Sequence, residues 1–163
     1  MKRLITLLML TVISVGAYAQ TDKGESSIGF NLGYGFEYDN VTLGLDYRYC
    51  IIDNVRLNPS LTHFIKNDGV SAWMIDANAH YVVPVSEMFG FYPLAGLSLS
   101  FWKASAKVDK YTLSENETRF GANIGLGAEI YASRELTVGM EVKYNIIKDM
   151  DQALIALRVG YNF

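Results

Sequence analysis

Residues 153–163 read ALIALRVGYNF, and their side chains alternate between two faces without a break. One face carries Ala153, Ile155, Leu157, Val159, Tyr161 and Phe163, and the other carries Leu154, Ala156, Arg158, Gly160 and Asn162. A period of two is typical of a β-strand, because successive side chains of a strand point to opposite sides. The segment therefore predicts a strand that separates an apolar environment from a different one.

The start of the chain has the features of a secretory signal peptide. Lys2 and Arg3 precede an apolar run over residues 4–15, and Ala17-Tyr18-Ala19 supplies the small-residue cleavage pattern. We therefore expect a signal peptide over residues 1–19 and a mature domain over residues 20–163. An exported chain that ends in a strand of this kind indicates the bacterial outer membrane.

Composition excludes several other classes of protein. Without Lys2 and Arg3, 12 basic and 17 acidic residues remain, so the mature chain carries a net charge of −5 and is not expected to bind nucleic acid. The longest apolar stretch of this domain, residues 89–102, is interrupted by Pro93 and two glycines and is too short for a membrane helix. Cys50 is the only cysteine, which argues against a disulfide framework.

Seven further segments alternate in the same way. They cover about residues 26–38, 41–51, 55–64, 73–83, 95–102, 120–130 and 136–146, and turns are expected at Asp39-Asn40 and Asp53-Asn54. At roughly 3.3 Å per residue and a tilt of about 40°, a strand of about eleven residues climbs about 28 Å. The expected fold is all-β, a transmembrane antiparallel up-and-down barrel of about eight strands. Pro84 is expected to close the fourth strand, and residues 103–118 to form the longest loop.

The aromatic side chains of these segments collect near strand ends. One predicted rim contains Phe36, Tyr38, Trp73, Phe101, Phe120 and Tyr144, and the other contains Tyr47, Tyr49, Tyr81, Phe91, Tyr131, Tyr161 and Phe163. Two aromatic girdles are typical of barrels that cross a bilayer.

Charged side chains fall on the predicted inner face. They are Glu37, Asp46, Arg48, Arg56, Asp76, Glu129, Glu141, Lys143 and Arg158. A near-symmetric last hairpin would place Glu141 opposite Arg158, with Glu129 and Lys143 on neighbouring layers. Because a barrel of about eight strands has an interior that side chains can fill, these charges predict an ion-pair network that plugs the lumen.

The polar groups do not predict an active site. His63 is expected on the outer face or at a rim, whereas His80 shares the inner face with Asp76, about 13 Å away along the strand. Ser98 and Ser100 are expected nearer to Asp76 than to His80, so no nucleophile, base and orienting acid come together. We predict that the chain is not an enzyme and has no cofactor or metal site.

These features resemble the small eight-stranded outer-membrane barrels, a group that includes the transmembrane domain of outer-membrane protein A and the opacity-type surface proteins. Leu157, Val159, Tyr161 and Phe163 resemble the carboxy-terminal signal of that group, which implies recognition by the barrel-assembly machinery during insertion. The chain differs from outer-membrane protein A because no residues after the last strand supply a periplasmic peptidoglycan-binding domain.

The resemblance implies an outer-membrane barrel with a structural or surface-interaction role. Residues 103–118 are the expected exterior contact surface, with outer-membrane lipid as the surrounding partner. A narrow-pore channel is the first alternative function, and a lipid-modifying outer-membrane enzyme is the second.

Overall fold

The computed structural model describes residues 22–67, 70–108, 111–148 and 150–163, and the side chains of residues 104–115 are not described. The predicted signal peptide, residues 1–19, lies outside the described residues. Nine strands form: β1 (Ser26–Gly35), β2 (Asn40–Ile52), β3 (Val55–Asn67), β4 (Val70–Tyr81), β5 (Val83–Ser86), β6 (Phe89–Val108), β7 (Tyr111–Tyr131), β8 (Leu136–Ile147) and β9 (Gln152–Asn162). In the part of the chain that is described, no helix has the length and apolar character needed to cross a membrane.

Eight of these strands close into an antiparallel barrel. Each of the long strands pairs with its neighbour in the sequence, β1 pairs with β9, and β4 pairs with β6 across the short β5. The closing contact is continuous, from Ser27 opposite Asn162 to Gly35 opposite Leu154. The predicted all-β barrel of about eight strands is confirmed.

Alternation along the strands sets the two faces of the barrel. In β2, the outer residues from Val41 to Tyr49 are exposed and the inner residues from Thr42 to Cys50 are buried. The same parity holds in β9, where Leu157 is exposed and Arg158 is buried. Because the apolar side chains face outwards and the polar ones face inwards, the barrel has the reverse of a soluble protein's distribution.

The two rims of the barrel differ. The terminal rim contains Ser26 and Phe163, whose backbones exchange hydrogen bonds of 3.3 and 2.9 Å. Tight turns join β2 to β3 and β7 to β8 at this rim. The positive φ angle of Asn54 agrees with the predicted β2–β3 turn, and that of Asp39 agrees with the predicted β1–β2 turn at the opposite rim. The opposite end, which we call the hairpin rim, contains the β1–β2, β3–β4, β6–β7 and β8–β9 connections.

The prediction of a long loop over residues 103–118 is wrong. Strands β6 and β7 continue through this region as a hairpin, with Lys103 opposite Asn116 and Val108 opposite Tyr111. Strand β7 pairs with β8 only from Gly121 onwards, and β6 pairs with β4 only up to Ala104. The hairpin therefore projects from the hairpin rim as a two-stranded ribbon. Its two strands form backbone hydrogen bonds with each other.

The prediction that Pro84 closes the fourth strand is also wrong. Strand β4 ends at Tyr81, Val82 turns inwards, and Pro84 lies within β5, which pairs with the start of β6. A proline is compatible with this position because β5 ends the sheet and one of its edges is free.

Two of the predicted rim aromatic residues lie inside. Tyr131 is buried and shares the inner face with Glu129, while Tyr38 packs against Trp102 with ring centroids 4.9 Å apart. The other aromatic residues of the predicted girdles are exposed on the outer face or at the rims: Phe36, Tyr47, Tyr49, Trp73, Tyr81, Phe91, Phe101, Phe120, Tyr144, Tyr161 and Phe163.

The barrel lumen as candidate functional site

Charged side chains of both signs fill the middle of the lumen. Seven of them are buried, and Glu141 has a side-chain exposure of 16%. Four cations, Arg48, Arg56, Lys143 and Arg158, face four anions, Asp46, Asp76, Glu129 and Glu141. Glu37, which was also expected inside, lies exposed on the β1–β2 turn because β1 ends at Gly35. Equal numbers of opposite charges allow burial without a net charge in the lumen.

Glu129 is bound by two arginines and a tyrosine. Arg56 donates to it through both terminal nitrogens, at 2.6 and 2.7 Å, and Arg48 donates from Nη1 at 2.7 Å. The Tyr131 hydroxyl donates to Oε1 at 2.7 Å. Such charge-assisted bonds are among the strongest in proteins, so Glu129 joins β2, β3 and β7 across the lumen.

Tyr92 connects this centre to Glu141. Its hydroxyl accepts from Arg48 Nη2 at 2.9 Å and donates to Glu141 at 3.0 Å. The ring stacks on His80, with centroids 4.5 Å apart, and the Arg56 guanidinium lies 4.6 Å from the ring centroid. Tyr92 therefore contacts two arginines through its ring and one carboxylate through its hydroxyl.

Asp46 and Arg158 pair across β1. Arg158 Nε lies 3.0 and 2.9 Å from the two carboxylate oxygens, and Nη2 lies 2.9 Å from Oδ1. Asn31 and Asn58 also donate to Asp46, at 2.6 and 3.1 Å. Gly29 of β1 leaves room for this crossing, since a Cβ there would collide with the guanidinium.

The predicted pairing of Glu141 with Arg158 is wrong. Glu141 lies opposite Ala156, and Arg158 lies opposite Gly139. The β8–β9 turn is not symmetric about residues 147–152, because the Asp151 carboxylate accepts the Ile147 N–H at 2.9 Å and the last pair is Asn145 with Gln152. The register consequently differs by two residues, which preserves the face of each side chain but changes its partner.

Lys143 and Asp76 form a further pair, on the hairpin-rim side of Glu129. Lys143 Nζ lies 2.5 Å from Asp76 Oδ2. Beside it, Asn123 donates to Asn78 at 2.8 Å and accepts a hydrogen bond from Asn145. These contacts link β4, β7 and β8, so each wall of the lumen takes part in polar bonding.

Apolar side chains close the lumen towards the hairpin rim. We call this cluster the apolar cap, and it consists of the buried residues Phe64, Ala72, Met74, Trp102, Ile147 and Leu154. Tyr38, Val70 and Met150 pack against it from the connections. The Trp102 indole donates to Ser100 Oγ at 2.9 Å, which satisfies the polar atom of that ring.

Two cavities lie between these side chains. The terminal cavity, of about 20 Å³, is at the terminal rim and is lined by Glu25, Ser26, Ser27, Arg48, Cys50, Arg56, Tyr131, Thr137, Arg158 and Asn162. The central cavity, of about 40 Å³, is lined by Asn31, Thr42, Asp46, Arg48, Asn58, Ser60, Thr62, Glu141, Lys143, Leu154 and Ala156. Burial raises the pKa of Glu25, which lies before β1. Arg48 lines both cavities, and Leu154 belongs to both the central cavity and the apolar cap.

The histidines have no catalytic geometry in the described residues. His80 Nδ1 accepts from Arg56 Nε at 3.1 Å, and its Nε2 is buried without a partner. Ser98 lies opposite Asp76 in the β4–β6 pairing, but its hydroxyl is also without a partner. His63 lies on the outer face and stacks on Trp73 with ring centroids 4.3 Å apart. A nucleophile needs a base within hydrogen-bonding distance, and neither histidine has a serine there.

No group of three or more His, Cys, Asp or Glu side chains is arranged to hold a metal ion in the described ranges.

Tyr92 and Tyr131 are lumen residues that the sequence analysis did not identify. The parity of β6 and β7 could have identified both, because Tyr92 is four residues from Gly96 and Tyr131 is two residues from Glu129.

Comparisons with known proteins agree with this architecture. The family described as Outer membrane protein beta-barrel domain matches residues 5–163. The comparison with curated protein sequences gave no significant match.

Among solved structures, the N-terminal beta-barrel domain of OprF from Pseudomonas aeruginosa is similar, with 20% identity and a TM-score of 0.70, covering 86% of this chain and 98% of that domain. Ail, the attachment invasion locus protein of Yersinia pestis, has 20% identity and a TM-score of 0.62, covering 86% of this chain and 99% of Ail. Neisserial surface protein A has 15% identity and a TM-score of 0.54, covering 85% and 93%. At these identities the likeness shows the fold.

Proposed function

The chain belongs to the outer-membrane protein β-barrel domain family, and on that basis we propose that this bacterial outer-membrane barrel has a structural or surface-interaction role. The observation that carries the proposal is the filled lumen. Eight charged side chains and the apolar cap fill the space that a channel would need, and two small cavities remain between them. The barrel would act by its closed hydrogen-bonded wall, its apolar belt and the segments that it presents at the surface.

The proposed orientation places the terminal rim in the periplasm and the hairpin rim outside. The family's architecture supports this, because short turns face the periplasm and longer connections face the exterior in such barrels. The β6–β7 hairpin is the longest of the projecting segments. In this proposal residues 1–19 act as a signal peptide, so the chain is exported before it inserts into the membrane.

Conductance of the refolded mature chain in planar bilayers tests the sealed barrel. We expect no steady ion current, because the lumen is closed by ion pairs and by apolar side chains. Heat-modifiable gel migration on the same sample reports whether the barrel is folded. A steady current from folded protein would instead favour the narrow-pore alternative.

The β6–β7 hairpin is the proposed surface for an extracellular partner. Asn116, Glu117 and Thr118 are exposed on it, and Arg119 forms an ion pair with Glu117. Replacing residues 104–115 by a short turn should leave the barrel folded and remove binding to host-cell or bacterial surfaces. A matched control is a shortened β8–β9 turn, and equal binding by both variants would contradict the proposal.

The last strand is the proposed signal for the barrel-assembly machinery. Leu157, Val159, Tyr161 and Phe163 are all exposed on the outer face, so an assembly factor can read them before closure. The same outward pattern would later contact lipid. One set of side chains would therefore serve both insertion and residence in the membrane.

A catalytic role has no support in the geometry of the described polar residues. Asp76 is engaged by Lys143, and His80 accepts from Arg56 instead of facing a hydroxyl. We therefore propose that the barrel is not a lipid-modifying enzyme. Incubation of the refolded barrel with lipid A and phospholipids should give no deacylated or transacylated product by mass spectrometry.

A further inference from the structure

A groove on the outer face of the barrel lies over the seam where β1 meets β9. Its volume is about 420 Å³, against about 40 Å³ for the central cavity of the lumen. Sites that hold a small molecule have volumes of roughly 300–1,000 Å³, so this groove is large enough for a ligand. We call it the seam groove, and it is lined by Leu32, Gly33, Tyr34, Val41, Ile155, Ala156 and Leu157.

The seam groove is open because two neighbouring outward side chains of β1 are held apart. Leu32 and Tyr34 are successive outward residues, and the Tyr34 hydroxyl donates to Asp39 in the β1–β2 turn at 2.8 Å. This bond holds the Tyr34 ring towards the hairpin rim, where the ring also contacts Phe36 edge to face with centroids 5.3 Å apart. The space between Leu32 and Tyr34 therefore stays unfilled, with the Gly33 backbone at its base.

Carboxylates lie at the hairpin-rim end of the seam groove, in the two turns that flank it. Asp39 and Asp151 each accept a hydrogen bond from an outward tyrosine, at 2.8 and 3.2 Å. Glu37 is exposed in the same turn as Asp39. Among the charged side chains described in these two turns, Lys148 is the one base against three acids. This end of the groove consequently favours a positively charged group.

The surroundings decide what occupies the seam groove. The groove is continuous with the apolar belt, where the surrounding medium is hydrocarbon, and its lining carries no charged side chain. A second copy of the barrel would approach with a convex belt, which fits a narrow groove less closely than a single acyl chain does.

A lipid has the distribution of chemistry that the seam groove and the carboxylates require together. Its acyl chain lies in the belt and its head group lies at the membrane surface. An ammonium head group is complementary to the carboxylates, whereas a phosphate without an amine is repelled by them.

We propose that the seam groove binds a membrane lipid that carries a primary amine on its head group, with one acyl chain between Leu32 and Tyr34 and the amine beside Asp39. In the orientation proposed above, this site faces the outer leaflet. It lies outside the lumen, so it does not depend on whether the barrel conducts.

Native mass spectrometry of the refolded barrel tests the proposal. The barrel is reconstituted in vesicles of equal phosphatidylethanolamine and phosphatidylglycerol and extracted in mild detergent, with EDTA present so that no divalent cation bridges a phosphate to the carboxylates. We expect one retained lipid per barrel, with phosphatidylethanolamine preferred by about threefold or more, which is the scale of a few exposed ion pairs.

Filling the seam groove should remove the bound lipid. Val41→Trp places a large ring in the groove, and an aromatic residue is compatible with the interface of the membrane. Val138→Trp is the matched control, because Val138 also points outwards and is 41% exposed, compared with 43% for Val41, but does not line the groove. The control should retain lipid as the wild type does.

Removing charge at the rim should change which lipid binds. An asparagine tolerates the φ of 49° at residue 39 and can still accept from Tyr34, so Asp39→Asn keeps the wall of the groove without its charge. Combined with Glu37→Gln, it leaves Lys148 to balance Asp151. This double variant should retain lipid but bind the two phospholipids about equally.

Heat-modifiable gel migration confirms that each variant is folded before the lipids are compared. Equal retention by the wild type and Val41→Trp would overturn the seam groove as a lipid site. A preference for phosphatidylglycerol, or a preference unchanged in the double variant, would overturn the selection of an amine. A wild-type dimer that Val41→Trp dissociates would assign the groove to a second copy and overturn the proposal as well.

Discussion

Glu129 and Glu141 lie in the same lumen but have different environments. Glu129 receives four hydrogen bonds from Arg48, Arg56 and Tyr131. Glu141 accepts from Tyr92 at 3.0 Å and lies 3.6 Å from an Arg48 nitrogen. Removing a carboxylate costs most where it leaves buried cations without a partner, so the two residues should differ strongly in their effect on stability.

We expect Glu129→Gln to destabilise the refolded barrel by about 3–5 kcal/mol, because Arg48 and Arg56 would share one neutral amide in a buried site. Glu141→Gln is the matched control and should cost about 1 kcal/mol. Urea unfolding in lipid vesicles, followed by tryptophan fluorescence, measures both. Equal losses for the two variants would show that Glu129 is not the centre of the network.

The faces of individual residues could be predicted from the sequence, but their partners could not. Parity alone placed Arg48, Arg56 and Arg158 on the inner face, since alternation survives any shift of an even number of residues. The Glu141–Arg158 pairing failed because the Asp151 cap on Ile147 sets the turn, and this contact is not visible in a hydrophobic pattern. Tyr131 is buried, as its parity with Glu129 indicates, although its position at a strand end is typical of a rim aromatic residue.

In the β6–β7 pair, a glycine on one strand makes room for a tyrosine on the other. Tyr92 lies opposite Gly127 in the β6–β7 pairing. A Cβ at Gly127 would collide with the Tyr92 ring. The glycine is therefore required for the close approach that lets the tyrosine cross the lumen.

Gly127→Ala should displace Tyr92 and weaken its bonds to Arg48 and Glu141, with a loss of about 1–3 kcal/mol in the free energy of unfolding. Gly44→Ala is a suitable control, because its nearest neighbours, the Thr62 hydroxyl oxygen at 3.2 Å and the Leu61 carbonyl oxygen at 3.3 Å, would have to move by only a few tenths of an ångström. Vesicle unfolding experiments compare the two. A neutral Gly127→Ala would mean that Tyr92 has another position of similar energy.

The length of β6 and β7 is the main feature of an element that the sequence did not predict. Residues 103–118 are polar and contain several charges, which is typical of a loop. In the structure the backbones of the two strands pair with each other, from Lys103 opposite Asn116 to Val108 opposite Tyr111. Residues 114–119 read SENETR, six consecutive polar residues, so the apolar alternation by which pattern reasoning identifies a strand is interrupted there.

At the scale of the whole molecule, both ion pairs and an apolar cap fill the lumen. Arg158 pairs with Asp46, which also keeps Asn31, Asn58 and a 3.5 Å contact with Arg48. The apolar cap lies on the other side of the central cavity, and neither Asp46 nor Arg158 is one of its residues. If the lumen is sealed as proposed above, a loss of stability and a loss of the seal should therefore be separable in this barrel.

We expect Arg158→Leu to lower stability by about 3 kcal/mol, since Asp46 loses its closest cation in a buried site. The variant should nevertheless show no steady current in planar bilayers, because the apolar cap is intact. Urea unfolding and conductance on the same preparation test the two statements. A conducting, folded Arg158→Leu barrel would assign the seal to the ion pairs.

The carboxy terminus should matter more for assembly than for the finished barrel. Phe163 is 70% exposed, and its N–H donates to the Ser26 carbonyl at 2.9 Å. Phe163→Ala keeps that backbone bond, so refolded protein should lose about 1 kcal/mol or less. In cells the same variant should accumulate far less folded barrel, as heat-modifiable migration of outer-membrane fractions would show, whereas Phe91→Ala should not.

The Asp46–Arg158 pair also constrains the order of folding. The two residues are 112 positions apart, and they meet only across β1, where the first and last strands join. Contacts of such large sequence separation form late, because the intervening chain must be ordered before they contribute. We therefore expect ring closure to be the slow step of folding, with the pair forming once the sheet is nearly complete, and we expect unfolding to begin between β1 and β9.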